Sequence, residues 1–468
     1  MNGMLGIAVD RNGNISLARQ IREQIARLIL GSHLRAGDML PSTRELAKSL
    51  DVSRNTVNEA YEMLWAEGYI ASRHGSGFRV LENIALKNVD NHARSTPVAP
   101  EPMAIRYDFR TGIPDLDRFP FSAWNKIQRE VLETIKPRDM LYGNTQGYAP
   151  LRKAIANWLL RFRGMRADSE SIFITSGATQ AIGLAVETLF KDEHAFLVEN
   201  PSHLGITRLM RLKNIPFLLH NVDERGMAVE KGRLERLSGV YVTPSHQFPL
   251  GCVLSALRRT QLIAAAREKD FYIIEDDYDS EYRYGGQTLT PLYAHDPARV
   301  IYVGSFSKTL FPALRIGFAV VPAALQDAWT ELRRYSDVQN AIVEQVVLCR
   351  FLEQRRMDRH IKSMTRIYGR KRDRVIGAIA HEFGGNAEIL GDSAGLHLAL
   401  RVPGRRLGRE FKEQCRERGM ALMPCSRYEL KGTEYNDTLL IGYGNVDENR
   451  ILEGLQLLSE IMKSRFND

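Results

Sequence analysis

Residues 304–318 read GSFSKTLFPALRIGF. The stretch leaves an apolar run, VIYVGSF (300–306), and turns through serines onto Lys308. Arg315 follows seven residues later and opens another apolar run, IGFAVVP (316–322). Taken alone, Lys308 is most simply a solvated surface charge. Its meaning depends on what else the fold brings to the end of that strand.

Three more runs share the pattern: AFLVEN (195–200), GVYVTP (239–244) and FYIIEDD (271–277). All five are nearly continuous in apolar residues, as in strands buried on both faces of a sheet. Beyond Tyr107 they alternate with helical stretches, the signature of an α/β architecture. Four of the five end in polar residues, and ligands of open α/β sheets collect outside the carboxyl ends of strands. The sheet is therefore expected to point Glu199, Asp276 and Lys308 towards one region.

That set meets the needs of one cofactor, pyridoxal 5′-phosphate. Its aldehyde takes a lysine amine as a Schiff base, for which Lys308 is the candidate. Its ring nitrogen needs a carboxylate to stay protonated; Asp276 ends FYIIEDD, and Tyr278 could donate to the ring hydroxyl. Its phosphate needs N–H donors at a helix N-terminus, a hydroxyl and an arginine. FITSGATQAIGLAVETLF (173–190) reads as strand, glycine turn and helix. Gly177, Ala178 and Thr179 would supply the N–H groups, with Ser305 and Arg315 the hydroxyl and the guanidinium. Each residue alone has a bland explanation, as a helix start, a capping carboxylate or a surface charge. The whole set in this chain order does not.

Composition bounds the rest. A chain of 468 residues suggests about three units. The 44% apolar and 26% charged content is ordinary for a soluble protein. Charge interrupts residues 1–13 before an apolar signal segment forms, and no run approaches the ~18 residues of a membrane helix. Cys252, Cys349, Cys415 and Cys425 are scattered, which speaks against a disulfide framework or a zinc site and for a reducing cytoplasm. The net charge of +8 is not concentrated: residues 1–81 carry ten Lys/Arg against eight Asp/Glu.

The first eighty residues hold three short helical patterns. Ile21, Ile25 and Leu28 form a stripe ending near Gly31. Ser42 and Glu45 form an S-x-x-E capping box ahead of Leu46, Ala47 and Leu50. Ser53 can cap RNTVNEAYEML (54–64), whose Val57, Ala60, Tyr61 and Leu64 face inward. GYIASRHGSGFRV (68–80) then alternates and turns as a hairpin does. Two helices on a tight turn followed by a hairpin make a winged helix-turn-helix, whose second helix fits the major groove. Between Ala85 and Met103 the periodicity fails, as in a linker; a flexible chain of that length spans about 25 Å.

LPSTREL, SRNTVNEAY and RHGSG resemble the DNA-binding module of the GntR family of bacterial transcription regulators, over about residues 17–80. By that resemblance Arg44, Ser53, Arg54, Asn55, Thr56 and Asn58 are the reading-head residues, and His74 and Gly75 the wing tip. The larger part, about residues 106–468, resembles fold-type-I pyridoxal phosphate enzymes of the aspartate-aminotransferase group. In YGNTQGYAPLRKAIANWL (142–159), Tyr142 resembles the tyrosine that reaches the neighbouring subunit's phosphate, and the resemblance implies a homodimer. The fusion resembles the MocR/GabR regulators. The implied organisation is a winged helix-turn-helix (1–82), a linker (83–105) and an aminotransferase-like effector and dimerisation domain (106–468).

The chain departs from that pattern where a substrate carboxylate would be held. Leu440 in LLIGYGN and Gly205 in ENPSHLG stand where arginines are expected, with Arg427 and Arg283 as candidate substitutes. His203 occupies the position of the aromatic that stacks on the cofactor ring. The usual Asn-Pro-Thr-Gly motif reads TPSHQFPLG, leaving His246 or Gln247 as the ring contact. Charge-assisted hydrogen bonds contribute ~1.5–3 kcal/mol each, so an α-carboxylate loses most of its hold. The expectation is a DNA-binding regulator that senses pyridoxal phosphate itself, as in the MocR branch controlling vitamin B6 metabolism. The alternatives are a regulator sensing an amine or amino acid through an external aldimine, an active aminotransferase, and a bare dimerisation scaffold.

Overall fold

The computed structural model describes residues 5–73, 77–82, 104–230, 232, 234–285 and 289–466. His74 and Gly75, and most of the expected linker, lie outside the described residues. The chain divides into two compact units, Met1–Glu101 and Pro102–Asp468. Length alone suggested about three.

In the first unit, α1 (Leu17–Leu30), α2 (Thr43–Leu50) and α3 (Arg54–Ala66) precede a hairpin of β1 (Ile70–Arg73) and β2 (Gly77–Val80). Local chemistry sets the boundaries. The Ser42 hydroxyl accepts from the Glu45 backbone N–H while the Glu45 carboxylate accepts from that of Ser42, closing the expected capping box. Ser53 likewise accepts from Thr56 N at the start of α3. Ile21, Ile25, Leu46, Val57, Ala60, Tyr61 and Leu64 close a separate small core. In the last turn of α1 the expected Leu28 is half-buried and packs against this core, beside Ile29, which is fully buried in it. The Tyr61 hydroxyl donates to Pro41 O at 2.8 Å, and its ring meets Phe78 of the hairpin edge-on at 5.2 Å.

The second unit begins with β3 (Tyr107–Asp108), α4 (Phe121–Thr134) and α5 (Ala149–Arg163). Its main sheet is built from β4 (Ile172–Thr175), β5 (Ala195–Asn200), β6 (Phe217–Asp223), β7 (Gly226–Met227), β8 (Leu237–Val242), β9 (Tyr272–Asp277), β10 (Val300–Ser305) and β11 (Gly317–Val320). They lie in the order β4-β11-β10-β9-β8-β5-β6-β7. All five expected strands are present. β11 runs antiparallel to both neighbours, which the apolar pattern could not reveal because it too is fully buried. β6 alternates in burial and was not anticipated.

A smaller sheet of β12 (Glu388–Leu390), β13 (His397–Arg401), β15 (Met423–Pro424) and β16 (Thr438–Gly442) follows, with β14 (Met420–Ala421) pairing with β3. Its Leu398 and Leu440 share one hydrophobic core with Leu197 and Phe318 of the main sheet. That shared core is why the larger part is one unit rather than two.

Candidate functional site

Register brings the site together. Asp276 pairs with Val303, Ser305 with Gly317, and Gly317 with Thr175. The ends of β9, β10 and β4 and the start of β11 therefore meet at one edge. There they enclose a cavity of about 340 Å³.

Eight of the ten expected cofactor residues line it: Ala178, Thr179, His203, Asp276, Tyr278, Ser305, Lys308 and Arg315. Gly177 lies at its margin as N-cap of α6 (Ala178–Leu189), with φ at 90°. The Arg315 guanidinium packs against it, 3.0 Å from where a Cβ would stand, so a side chain here would displace the arginine. Arg315 also donates to Ser176 O. No side chain caps α6, so its first N–H groups are open to an anion in the cavity. Tyr142 is 88% exposed and does not line the cavity of its own chain.

The Lys308 amine donates to Gly112 O at 2.5 Å. Burial pushes its pKa down, opposed by Asp279 and Asp276. A lysine so placed reaches its neutral, nucleophilic form more readily. Asp276 is buried, 8% exposed. Burial pushes its pKa up to about 6, against the Tyr241 hydroxyl that donates to Oδ2 at 2.7 Å. Its Oδ1 is buried and has no hydrogen-bond partner. Unmet acceptors of this kind are costly and call for a donor from a ligand.

Other expectations are corrected. Glu199 does not reach the cavity: it is buried, accepts from Thr243 N and Oγ1 at 3.1 and 2.7 Å, and rises to about 7 through burial. Leu440 is fully buried in β16 and paired with Ala399. Gly205 stands in the first turn of α7 (Leu204–Leu212), its N–H donating to His203 Nδ1 at 3.1 Å. Neither Arg427 nor Arg283 lines the cavity; Arg315 is its sole lining arginine among the described residues. Neither His246 nor Gln247 lines it either; Phe248, one residue on, does. Sequence reading also missed Thr111, Gly112, Tyr241, Thr243, Asp279, Ser307, Pro312, His397 and Tyr428. The altered TPSHQFPLG motif was a signal for Phe248. Nothing local marked His397 or Tyr428, which the smaller sheet and the loop after β15 deliver.

In the first unit, Arg44 is exposed on α2, and Arg54 and Asn55 are exposed at the start of α3. Arg54 Nε donates to Thr43 Oγ1 at 3.2 Å, tying the two helices. Thr56 and Asn58 are half-buried. The Ser53 and Thr56 hydroxyls lie 2.8 Å apart, so part of their hydrogen-bonding capacity goes to capping α3.

Residues 17–80 match the family of bacterial regulatory proteins of the gntR type, and residues 107–453 match aminotransferase class I and II. The uncharacterized HTH-type transcriptional regulator YdeL of Bacillus subtilis is 31% identical over 97% of this chain and 98% of its own. The HTH-type pyridoxine biosynthesis transcriptional regulator PdxR of Corynebacterium glutamicum is 31% identical over 96% of each. The chain belongs to the GntR-family transcription regulators that carry an aminotransferase class I and II domain. In these regulators the larger domain has the fold of true enzymes. A kynurenine aminotransferase from Pyrococcus horikoshii, solved with PMP, superposes with a TM-score of 0.71 at 26% identity, over 78% of this chain and 92% of that one. The cofactor of this class is pyridoxal phosphate. The cavity fits it: a desolvated lysine, an unpartnered buried carboxylate oxygen, and an uncapped helix N-terminus beside an arginine all converge there.

Proposed function

We propose that this regulator takes pyridoxal phosphate itself as its signal and controls genes of vitamin B6 metabolism, acting in the cytoplasm as a homodimer. Bound there, the cofactor would offer an aldehyde for covalent capture by a lysine amine. Lys308 would provide that amine. Asp276 Oδ1 would accept the ring N–H, the Tyr278 hydroxyl would donate to the ring oxygen, and His203 would cover the ring face. Gly177, Ala178 and Thr179, with Ser305 and Arg315, would hold the phosphate, and Tyr142 would reach the cavity of the partner subunit. Arg44, Ser53, Arg54, Asn55, Thr56 and Asn58, with His74 and Gly75 of the wing, would meet DNA.

One observation carries the reading. The cavity is lined by candidates for the lysine, the ring carboxylate, the ring hydroxyl donor and the phosphate grip, while Arg315 is its only lining arginine among the described residues and Leu440 is sealed in the core. A site able to hold the cofactor but poor at holding an α-carboxylate suits a cofactor sensor better than an aminotransferase. The 31% identity to a pyridoxine biosynthesis regulator supports the same direction. Coupling to DNA then requires that the cofactor bind two states of the dimer unequally.

The test compares operator affinity of the cofactor-free protein, the loaded protein, and the loaded protein with added amines or amino acids. Operators are first selected from random DNA with the full chain. The change should come with pyridoxal phosphate, and amines and amino acids should add nothing. A change that comes only with an amine or amino acid would transfer the signal to that ligand.

A further inference from the structure

We propose that Asp279 and His246 form a positioning pair that aims the Tyr278 hydroxyl hydrogen into the cofactor cavity. The inference rests on the assignment of Tyr278 to the ring oxygen made above, and adds what orients it.

Asp279 is 2% exposed. Its Oδ2 accepts the Leu396 backbone N–H at 3.3 Å, and its Oδ1 lies 2.9 Å from His246 Nδ1. A carboxylate only accepts, so the imidazole hydrogen sits on Nδ1. Nothing claims a hydrogen at the other end of the ring: His246 Nε2 is buried without a partner. The same Nδ1 lies 3.0 Å from the Tyr278 hydroxyl oxygen, with the two rings stacked at 5.8 Å and 28°. A nitrogen that carries a hydrogen cannot accept another. The one Nδ1 hydrogen is shared between Asp279 Oδ1 and the tyrosine oxygen, which meets it as acceptor, and the hydroxyl's own hydrogen is free to point elsewhere. Tyr278 lines the cavity, and that is the open direction.

The pair is clamped. Gly395, at φ +76°, leaves no room for a side chain: a Cβ would stand 2.2 Å from the His246 ring and 2.4 Å from Asp279 Oδ2. Its backbone is held by Tyr282 O at 2.7 Å and by the hydroxyls of Tyr284 and Tyr443 at 2.5 and 2.9 Å. The other titratable groups facing the pair are Asp276, Glu281, Tyr282, Tyr284, Lys308, His397 and Tyr443. His397 donates from Nε2 to Pro249 O at 3.0 Å, and burial lowers its pKa to about 4, so it is neutral. It offers the pair no competing charge.

A hydroxyl hydrogen donated to the ring oxygen draws negative charge from it. That weakens the oxygen's hold on the neighbouring proton and lowers the pH at which the bound cofactor's visible absorbance titrates. The experiment is that absorbance titration on the full-length protein loaded with pyridoxal phosphate. Tyr278→Phe should raise the midpoint by about one pH unit, a tenfold change in proton affinity. Asp279→Asn should do the same, because an amide no longer holds the imidazole hydrogen on Nδ1; with that hydrogen on Nε2, the Nδ1 lone pair can accept the tyrosine hydrogen. His246→Phe should match it, while His246→Asn, whose amide N–H replaces Nδ1–H, should restore the wild-type midpoint. If Tyr278→Phe shifts the midpoint but Asp279→Asn and His246→Phe do not, the pair does not position the tyrosine. If Tyr278→Phe itself has no effect, the assignment of Tyr278 fails and this inference with it. A measurement on the unaltered chain guards against misfolded variants: ¹⁵N shifts of the labelled protein should place the His246 hydrogen on Nδ1, and a hydrogen on Nε2 would overturn the proposal.

Discussion

Replacing Asp276 by Asn should move stability and cofactor affinity in opposite directions. Burial raises this carboxyl from its ordinary 3.8 to about 6, so keeping it ionised at pH 8 costs the cofactor-free fold up to ~3 kcal/mol at 1.4 kcal/mol per unit. A neutral amide removes that cost, and its oxygen can still accept from the Tyr241 hydroxyl. The sign follows from linkage. Between pH 4 and 6 the folded chain holds the Asp276 proton more tightly than the unfolded chain, so its contribution is lost as pH rises through about 6. The stability gain of Asp276→Asn should therefore be near zero at pH 4 and reach its plateau above pH 6. Cofactor affinity should fall, because the amide presents N–H where the ring N–H needs an acceptor. Loss of one charge-assisted hydrogen bond of about 1.5–3 kcal/mol corresponds to 10- to 150-fold. Thermal unfolding of the cofactor-free proteins from pH 4 to 8, with pyridoxal phosphate binding at pH 8, measures both. A variant no more stable than wild type that also binds the cofactor equally well would refute the reasoning.

Other substitutions probe the remaining parts. Lys308→Ala should abolish the visible absorbance of the covalently held cofactor, and its persistence would refute the anchor assignment. Arg54→Ala should cost about 1–3 kcal/mol on a selected operator if the side chain reads a base; equal loss on all sequences would make it a phosphate contact. Ser42→Ala removes one half of the α2 capping box and should cost ~1 kcal/mol, seen as faster amide hydrogen exchange across Thr43–Leu50.

What was legible in the sequence was what local chemistry decides. The helices of the first unit announced themselves through Ser42, Glu45 and Ser53, because caps act within three residues. The strands showed as apolar runs because both faces of the sheet are covered. Lys308, Asp276 and Arg315 could be paired on paper because ligands gather at strand ends. Direction was not legible: β11 has the composition of its parallel neighbours but runs against them. Nor was sequestration. Glu199 ends a strand as Asp276 does, yet Thr243 consumes its hydrogen bonds and turns it from ligand group into core carboxylate. Phe248, His397 and Tyr428 reach the cavity from segments separated by up to 180 residues, and no spacing rule connects them.

The central claim is that occupancy of this cavity changes DNA binding. The decisive measurement follows one titration of the cofactor-free, full-length protein with pyridoxal phosphate by two signals, visible absorbance and operator affinity. Carrying the dimer from 1:99 to 99:1 between two states needs ~5.5 kcal/mol of differential binding, so a large change is within reach of a covalent bond and a phosphate site. The account predicts that the two signals share one midpoint and that Lys308→Ala displaces both together. Operator affinity and half-site spacing preference that stay constant while the absorbance saturates would contradict it.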